Sequence, residues 1–236
     1  MQPTFLHIES STDICSLAVS RGEEVIGFSE TAEAYQHASQ MTLLIDKAMQ
    51  AAELHLSDLS AVSVSLGPGS YTSLRVGFST AKGICYALEK PLITVPSLQA
   101  LAGAIGREGL VDSLGEGAEI LYVPMIDARR MEVYAAVYDQ GLNEVQAPQA
   151  MVIDESAFST YLEKGTHLVL GGNGAPKCQA ILQHPQVHFV SVLATASNSV
   201  PLAYLSYQQK DFVDVAYVEP FYLKPPNITV SKKKLL

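Results

Sequence analysis

The first part of the chain changes from a strand pattern to a helical pattern. Short apolar runs at residues 5–8, 15–20 and 24–29 are separated by brief polar turns, which predicts a meander of three β-strands. Between residues 38 and 52 the apolar side chains recur at intervals of three and four, as on one face of an amphipathic helix. The pattern therefore predicts three strands followed by a helix.

A glycine-rich turn separates the next strand from the next helix. Residues 61–66 form an apolar run, and residues 74–88 have helical spacing. Between them, Gly67 and Gly69 permit a tight turn or a positive φ angle that other residues disfavour, and Ser70 follows them. We expect Gly67, Gly69 and Ser70 to shape this turn.

The pattern restarts after residues 106–117, which are rich in glycine and charge. We place here the boundary between an N-terminal lobe, residues 1–105, and a C-terminal lobe, residues 106–236. Each half repeats an order of strands, helix, strand, glycine turn and helix, so we expect an α/β protein with two lobes and a cleft between them, the last helix packing back on the N-terminal lobe. The remaining predicted elements are strands at 91–95, 120–126, 132–138, 149–153 and 168–170, and helices at 97–105, 155–162, 177–182 and 199–209.

The composition argues against several classes of protein. The 236 residues carry a formal net charge of −9, which disfavours broad electrostatic binding of nucleic acid by this chain alone. Three cysteines without a Cys-x-x-Cys pair disfavour a disulfide framework or a structural zinc site. Neither a signal peptide nor an apolar run long enough to cross a membrane is visible. We expect a cytoplasmic protein that does not associate with membranes.

Several motifs together resemble one known family. They are Leu6-His7-Ile8-Glu9-Ser10-Ser11-Thr12 with Cys15-Ser16-Leu17-Ala18-Val19; His37 at the start of the first helix; Gly67-Pro68-Gly69-Ser70-Tyr71-Thr72 with Leu74-Arg75-Val76-Gly77; Ile126-Asp127-Ala128-Arg129 with Glu132-Val133-Tyr134; and Pro220-Phe221-Tyr222-Leu223. In this order and spacing the chain resembles the bacterial tRNA threonylcarbamoyladenosine biosynthesis proteins of the TsaB (YeaZ-like) type, in the glycoprotease M22 superfamily. One position departs from the pattern, because Ser73 stands where that family usually has glycine.

The resemblance implies a fold and a function. The fold is the two-lobed ASKHA (actin-like or ribonuclease H-like) α/β fold, in which each lobe is a mixed sheet flanked by helices. The function is that of a non-catalytic scaffold required for threonylcarbamoyl modification of adenosine 37 in tRNAs that read codons beginning with A. The implied partners are a TsaD-like catalytic paralogue and a TsaE-like ATPase, with tRNA contacted indirectly and a homodimer forming when the partner is absent. ATP or ADP and magnesium are expected on the partner subunits, and no cofactor on this chain.

Two predicted hairpins stand where ASKHA enzymes hold phosphates against bare glycine backbone. The turns after Glu9 and after Asp127 contain no glycine, so side chains would crowd a triphosphate. The two carboxylates could still hold magnesium, or they could cap their turns or pair with an arginine, and we favour the second interpretation. Likewise, the glycines at 171–174 fit either a nucleotide platform or a tight turn. The residues expected closest to any nucleotide are Glu9, Ser11, Thr12, Asp127, Arg129, Gly172 and Gly174.

The histidines do not suggest a metal site. Two histidines at i and i+4 on a helix can chelate a metal ion, but His37 is followed four residues later by Met41. His184 and His188 have that spacing in a segment with a strand pattern, where the two side chains would lie about 13 Å apart. We expect no metal site, and we expect His37 to cap the helix or to lie at an interface.

The first two helices carry more apolar residues than one buried face requires, which indicates either a wide core contact or a partner surface. The resemblance favours a surface that packs on the same two helices of the partner. An independent enzyme, either a nucleotide hydrolase or kinase or a metallopeptidase of the same superfamily, is the alternative. A short basic run, Lys232-Lys233-Lys234, is expected to be a solvated tail. The predicted interface residues are His37, Met41, Leu44, Ile45, Leu74, Phe78 and Lys82.

Overall fold

The computed structural model describes residues 2–31, 37–109 and 117–225. The strands within this part of the chain are β1 (Thr4–Glu9), β2 (Cys15–Arg21), β3 (Glu24–Thr31), β4 (Ala61–Gly67), β5 (Leu92–Pro96), β6 (Ile120–Asp127), β7 (Glu132–Tyr138), β8 (Glu144–Val152), β9 (His167–Gly171) and β10 (Val187–Phe189). The α-helices are α1 (His37–Ala51), α2 (Tyr71–Leu88), α3 (Ser97–Gly106), α4 (Ser159–Leu162) and α5 (Val200–Gln209).

The strands form two five-stranded sheets with the same topology. The first sheet has the order β3-β2-β1-β4-β5, and the second has the order β10-β9-β6-β7-β8, which is the equivalent order read from the other edge. In each sheet the first three strands form an antiparallel meander and the other two continue in parallel with the central strand. The predicted fold class, a two-lobed ASKHA α/β fold with mixed sheets and flanking helices, is confirmed.

Three predicted helices differ from the observed ones, and the strand predicted at residues 149–153 is part of the longer β8. Helix α2 begins at Tyr71, three residues before the apolar pattern starts, because polar residues can fill the exposed side of a first turn. The helix predicted at residues 155–162 is reduced to α4, because Phe158 at its N-cap adopts a left-handed conformation with φ of +67°. The helix predicted at residues 177–182 is replaced by a short 3₁₀ turn, Pro176–Cys178, stabilised by hydrogen bonds between residues three apart.

The cores connect the two sheets through α3. In the first sheet, α1 and α2 cover one face, and their apolar side chains form a cluster with those of β1, β2 and β4. On α3, Leu101 and Ile105 pack with Tyr122 and Val169 of the second sheet. Helix α5 packs on β5, where Ala203 joins the cluster around Phe5. Thus α3, which precedes the predicted boundary at residues 105–106, contributes to the core of the second sheet. None of the helices within the described ranges is long and apolar enough to traverse a lipid bilayer.

Candidate functional site

The glycine turn after β4 holds the hairpin that joins β1 and β2. Gly67 has a φ of +107°, which favours glycine. A Cβ atom at position 69 would lie 2.2 Å from the backbone oxygen of Ser11, so only glycine allows this approach. The amide of Ser70 donates a hydrogen bond of 2.7 Å to that same oxygen. The three residues predicted to shape the turn therefore place it directly against the hairpin.

Glu9 lies inside this hairpin and does not face an open cleft. Its side chain is buried, and Oε1 accepts a hydrogen bond of 2.6 Å from the amide of Ser11. Burial raises the pKa of the Glu9 carboxyl, while hydrogen bonds from Ser11, Ser65 and Ser10 act in the opposite direction. Thr12 is also buried, and its Oγ1 accepts a hydrogen bond of 3.3 Å from the amide of Ile14. The Glu9 carboxylate and the Thr12 hydroxyl thus stabilise the hairpin itself.

The start of α2 packs on the same hairpin. A Cβ atom at position 77 would lie 2.3 Å from Oγ of Ser10, so Gly77 allows the helix to approach β1. Ser73 is mostly buried, and its hydroxyl forms a hydrogen bond of 2.9 Å with that of Ser70. The residue that departs from the family pattern therefore makes a local contact within the first turn of the helix.

The second hairpin, between β6 and β7, is held by a cation from its own chain. Nζ of Lys177 contacts the carboxylate of Asp127 and donates hydrogen bonds to the backbone oxygens of Arg130 and Glu132, at 2.8 and 2.6 Å. Oδ1 of Asp127 also accepts a hydrogen bond of 3.2 Å from the amide of Arg129. Asp127 is therefore paired with a lysine ammonium, where the sequence suggested a nearby arginine.

The glycine turn after β9 packs against the start of this second hairpin. Gly172 has a φ of +108°, and a Cβ atom there would lie 2.2 Å from the backbone oxygen of Met125. A Cβ atom at Gly174 would lie 3.1 Å from the amide nitrogen of Asp127, and Asn173 accepts a hydrogen bond of 3.0 Å from that amide. These contacts are those of a tight turn. The packing of the turn is by itself sufficient reason for glycine at positions 172 and 174.

The structure therefore gathers the predicted nucleotide-proximal residues into two groups. Glu9, Ser11 and Thr12 lie in the first hairpin, and Asp127, Arg129, Gly172 and Gly174 lie in and behind the second. Sequence reasoning missed Lys177 as the partner of Asp127. Its only signal was a lysine three residues after a glycine turn, which does not indicate where the ammonium group points.

Five of the seven predicted interface residues are buried in the N-terminal lobe. Their side chains lie on the core side of α1 and α2 in this structure, because the apolar faces that carry them pack on the first sheet. The five are Met41, Leu44, Ile45, Leu74 and Phe78. The large apolar residues of these helices that are exposed in the described structure are Leu43 and Tyr86, with exposed fractions of 46% and 85%.

The two remaining interface predictions have different outcomes. Nζ of Lys82 donates hydrogen bonds to the backbone oxygens of Ala216 and Val218, at 3.2 and 3.0 Å, so it fastens the C-terminal segment to α2. His37 is the first residue of α1, but its side chain lies outside the described residues. The basic run at residues 232–234 also lies outside them.

The C-terminal segment continues from the first sheet to the second. The amide of Phe221 donates a hydrogen bond of 2.8 Å to the backbone oxygen of Leu66 in β4. The ring of Tyr222 lies 4.7 Å from that of Tyr71, and Nζ of Lys224 contacts the carboxylate of Glu132 in β7. The extended ending seen in the sequence thus contacts α2 and the second hairpin.

The histidine pair considered from the sequence is not brought together. Nδ1 of His184 accepts a hydrogen bond from the amide of Gln186, whereas Nε2 of His188 lies 3.0 Å from Nδ1 of His167 on the adjacent strand. Among residues 2–31, 37–109 and 117–225, no group of three or more histidine, cysteine, aspartate or glutamate side chains is arranged to hold a metal ion.

Known proteins resemble this chain over most of its length. A family model described as TsaD, tRNA N6-adenosine threonylcarbamoyltransferase, matches residues 27–229. The tRNA threonylcarbamoyladenosine biosynthesis protein TsaB of Bacillus subtilis (strain 168) is 28% identical over 229 residues, with 94% of each chain covered. TsaB of Escherichia coli (strain K12) is 26% identical over 241 residues, with 98% of this chain and 97% of that protein covered. The structure of YeaZ from Pseudomonas aeruginosa has a TM-score of 0.74 at 25% identity and covers 94% of this chain and 100% of that one.

Proposed function

The chain belongs to the TsaD family and is TsaB/YeaZ-like within it, and from this premise we propose that it acts in tRNA threonylcarbamoyladenosine biosynthesis as a non-catalytic subunit that binds a TsaD-like catalytic paralogue. In this role it stabilises the partner, which modifies adenosine 37 of tRNAs reading codons that begin with A. A TsaE-like ATPase joins the assembly, and the chain forms a homodimer when the paralogue is absent. The assembly is cytoplasmic, and nucleotide and magnesium bind to the partner subunits.

The state of the two hairpin carboxylates supports a non-catalytic role. Glu9 is buried and hydrogen-bonded inside its own hairpin, and Asp127 is paired with Lys177. To coordinate a metal ion or a phosphorylated substrate, Glu9 would need to leave its hairpin and Asp127 would need to give up its lysine. Both changes remove contacts that stabilise the hairpins, so these carboxylates fit structural roles better than catalytic ones.

The exposed side of α1 and α2 carries the docking part of the proposal. On α2, small side chains at Thr72, Ser79, Gly83 and Ala87 are exposed at helical spacing, and a Cβ atom at Gly83 would meet nothing within 4 Å. Such a surface lets another helix approach closely, and the largely exposed ring of Tyr86 adds apolar area next to it. The proposed partner surface is therefore the outer face of the helix pair, and its buried face supports the fold.

The test introduces negative charges at two apolar positions on this outer face. Leu43→Asp combined with Tyr86→Asp places two carboxylates in the proposed contact without touching the core, and we expect binding to the co-expressed TsaD-like paralogue to fall at least about tenfold. The matched control is Leu193→Asp with Leu205→Asp, since these leucines are 47% and 48% exposed and lie outside α1 and α2. Affinity is measured by calorimetry with the two purified proteins.

Two results would contradict the docking surface. One is native affinity in the helix-face variant, and the other is an equal loss of affinity in the control variant. Substitution of the buried residues Leu44 and Phe78 would not serve as a test, because a charge in the core unfolds the lobe whether or not a partner binds there.

The alternative is an independent enzyme, which the description of the family model as a transferase favours. It predicts turnover of ATP by the purified chain that disappears in Asp127→Ala. The scaffold proposal predicts that the chain alone hydrolyses ATP no faster than the Asp127→Ala variant. A phosphate-release assay on both proteins separates the two possibilities.

A further inference from the structure

The tip of the β6–β7 hairpin presents two unpaired arginines on an acidic protein. Arg129 and Arg130 are both exposed, and within the described residues neither forms an ion pair. The nearby carboxylates of Asp127 and Glu132 are already paired with Lys177 and Lys224. The local surface is therefore positive, although the whole chain carries a formal net charge of −9.

A further cation lies beside this hairpin. Nζ of Lys224 from the C-terminal segment contacts the carboxylate of Glu132 at the start of β7. Burial raises the pKa of the Tyr134 phenol on β7, the charge of Glu132 acts in the same direction, and the charges of Lys224 and Arg129 act against this rise.

The backbone of the tip is held in an unfavourable conformation. Arg129 has a φ of +69° and Arg130 a φ of +52°, both in the left-handed region that glycine and asparagine tolerate better than arginine. Two such residues in succession persist only where their surroundings hold them. Here the surroundings are the three contacts of Lys177 and the hydrogen bond from the amide of Ala128 to the backbone oxygen of Glu132, at 3.0 Å.

The arginine side chains add no ion pair that would stabilise the turn within the described residues. Because the side chains make no ion pair in the described structure, the unfavourable backbone is not offset by a salt bridge at the tip. The guanidinium group is planar and binds phosphate oxygens through two parallel hydrogen bonds. A hairpin tip with two successive exposed arginines is suited to phosphates along a nucleic-acid backbone.

We propose that the Arg129–Arg130 tip contacts the phosphate backbone of tRNA. This inference rests on the proposed function, which brings a tRNA to the assembly, and it adds a direct contact by this chain. The contact is local and independent of base sequence, since it involves phosphates only. The net negative charge of the chain limits its affinity, so the tip orients RNA that other subunits also hold.

The test removes the charges while relieving the backbone. Arg129→Asn with Arg130→Gly introduces the residues that tolerate positive φ best, so the variant is expected to fold at least as stably as the natural chain. Binding of the full chain to an unmodified tRNA transcript is measured by fluorescence anisotropy between about 0.05 and 0.2 M salt. We expect affinity at the low-salt end to fall at least about tenfold, and the slope of log K against log salt concentration to decrease by about 2.

A charge-matched control removes two cations elsewhere. Arg21→Gln with Lys90→Gln changes the net charge by the same amount at side chains that form no ion pair within the described residues, and we expect its salt slope to stay within experimental error of the natural chain. Equal losses in both variants would reduce the effect to net charge and would overturn the proposal. So would a natural chain that shows no salt-dependent binding of tRNA at low salt.

Free nucleotide is the competing source of phosphate. If ATP binds the natural chain, is lost in Arg129→Asn with Arg130→Gly, and displaces tRNA at equal phosphate concentration, the tip is a nucleotide site and the RNA proposal is wrong. The docking test on Leu43 and Tyr86 uses different residues and a protein partner. Failure of the RNA contact therefore leaves the scaffold proposal standing, and failure of docking does not alter the measured RNA binding.

Discussion

His7 should make the stability of the protein depend on pH more steeply than that of a variant lacking it. The imidazole is fully buried in β1; Nδ1 lies 2.6 Å from the hydroxyl of Ser63 and Nε2 lies 2.8 Å from that of Ser20. The hydroxyl of Ser20 donates to the backbone oxygen of Gly22, so it accepts from Nε2–H, while Ser63 donates to Nδ1. The neutral imidazole therefore satisfies every partner, whereas the protonated ring has a second donor that needs the Ser63 hydroxyl to turn and accept in place of donating.

The magnitude follows from the shift in pKa. Burial lowers the pKa of His7 from 6.5 to about 3, so the unfolded chain takes up a proton at a higher pH than the folded protein does. Stability from this group is complete above pH 6.5 and is lost as the pH falls toward 3. The loss is about 1.4 kcal/mol by about pH 5.5 and about 2.7 kcal/mol by about pH 4.5, since each unit contributes about 1.36 kcal/mol.

The experiment compares the natural chain with His7→Gln, which keeps a polar side chain but does not titrate. Urea unfolding is followed by circular dichroism at about pH 7, 5.5 and 4.5, and the free energies of unfolding are subtracted pairwise. Glu9 and the other acidic groups titrate in both proteins, so their contributions cancel in the difference. We expect the advantage of the natural chain over the variant to shrink by the amounts given above.

One result would refute this reasoning. If the two proteins lose stability in parallel between pH 7 and pH 4.5, the imidazole is not held neutral by burial, and its three hydroxyl neighbours must accommodate the charged ring. Ser199, whose hydroxyl lies 3.5 Å from Nδ1 and donates to the backbone oxygen of Ala196, would then have to turn toward the ring.

Two further predictions concern the turns and the second hairpin. Gly69→Ala should destabilise the protein by about 2 kcal/mol or more, because its Cβ would meet the backbone oxygen of Ser11. Gly83→Ala, on the open side of α2, should instead stabilise it by up to about 1 kcal/mol. Thermal unfolding of both variants checks this contrast, and equal shifts in the two midpoints would contradict it. Lys177→Met should lower the free energy of unfolding by about 1–2 kcal/mol, because two backbone oxygens lose their hydrogen-bond donor. The ion pair with Asp127 is partly exposed and adds little. An unchanged midpoint of urea unfolding would show that the ammonium group does not hold the hairpin.

Much of the fold could be predicted because each element has its own local period. The alternation in residues 132–138 identified β7 with its observed limits, and the helical spacing after residue 38 identified α1 to within one residue. The prediction was poorest where the backbone departs from its usual conformation. Phe158 adopts a positive φ that no pattern of apolar residues indicates, so the helix predicted at residues 155–162 was too long.

The candidate site was only partly predictable, for a related reason. The glycines at 67 and 69 identified the turn, because glycine marks positions where a side chain would clash. The sequence did not show which face of α1 and α2 remains exposed. Apolar residues such as Met41, Leu44 and Phe78 occur on core faces and on partner surfaces alike, and only the structure shows that these three are buried. Apolar spacing shows that a face will be covered and does not show by what.

By itself, the sequence determined the order of strands and helices, the repeat of that order in two halves and the positions of the two glycine turns. These depend on interactions between residues close together in the chain. Only the tertiary structure decided that Lys177 pairs with Asp127, that Lys82 fastens the C-terminal segment and that the arginines at 129 and 130 remain unpaired at an exposed tip within the described residues. Those pairings join groups 50 or more residues apart, and their geometry is set when the sheets and helices pack.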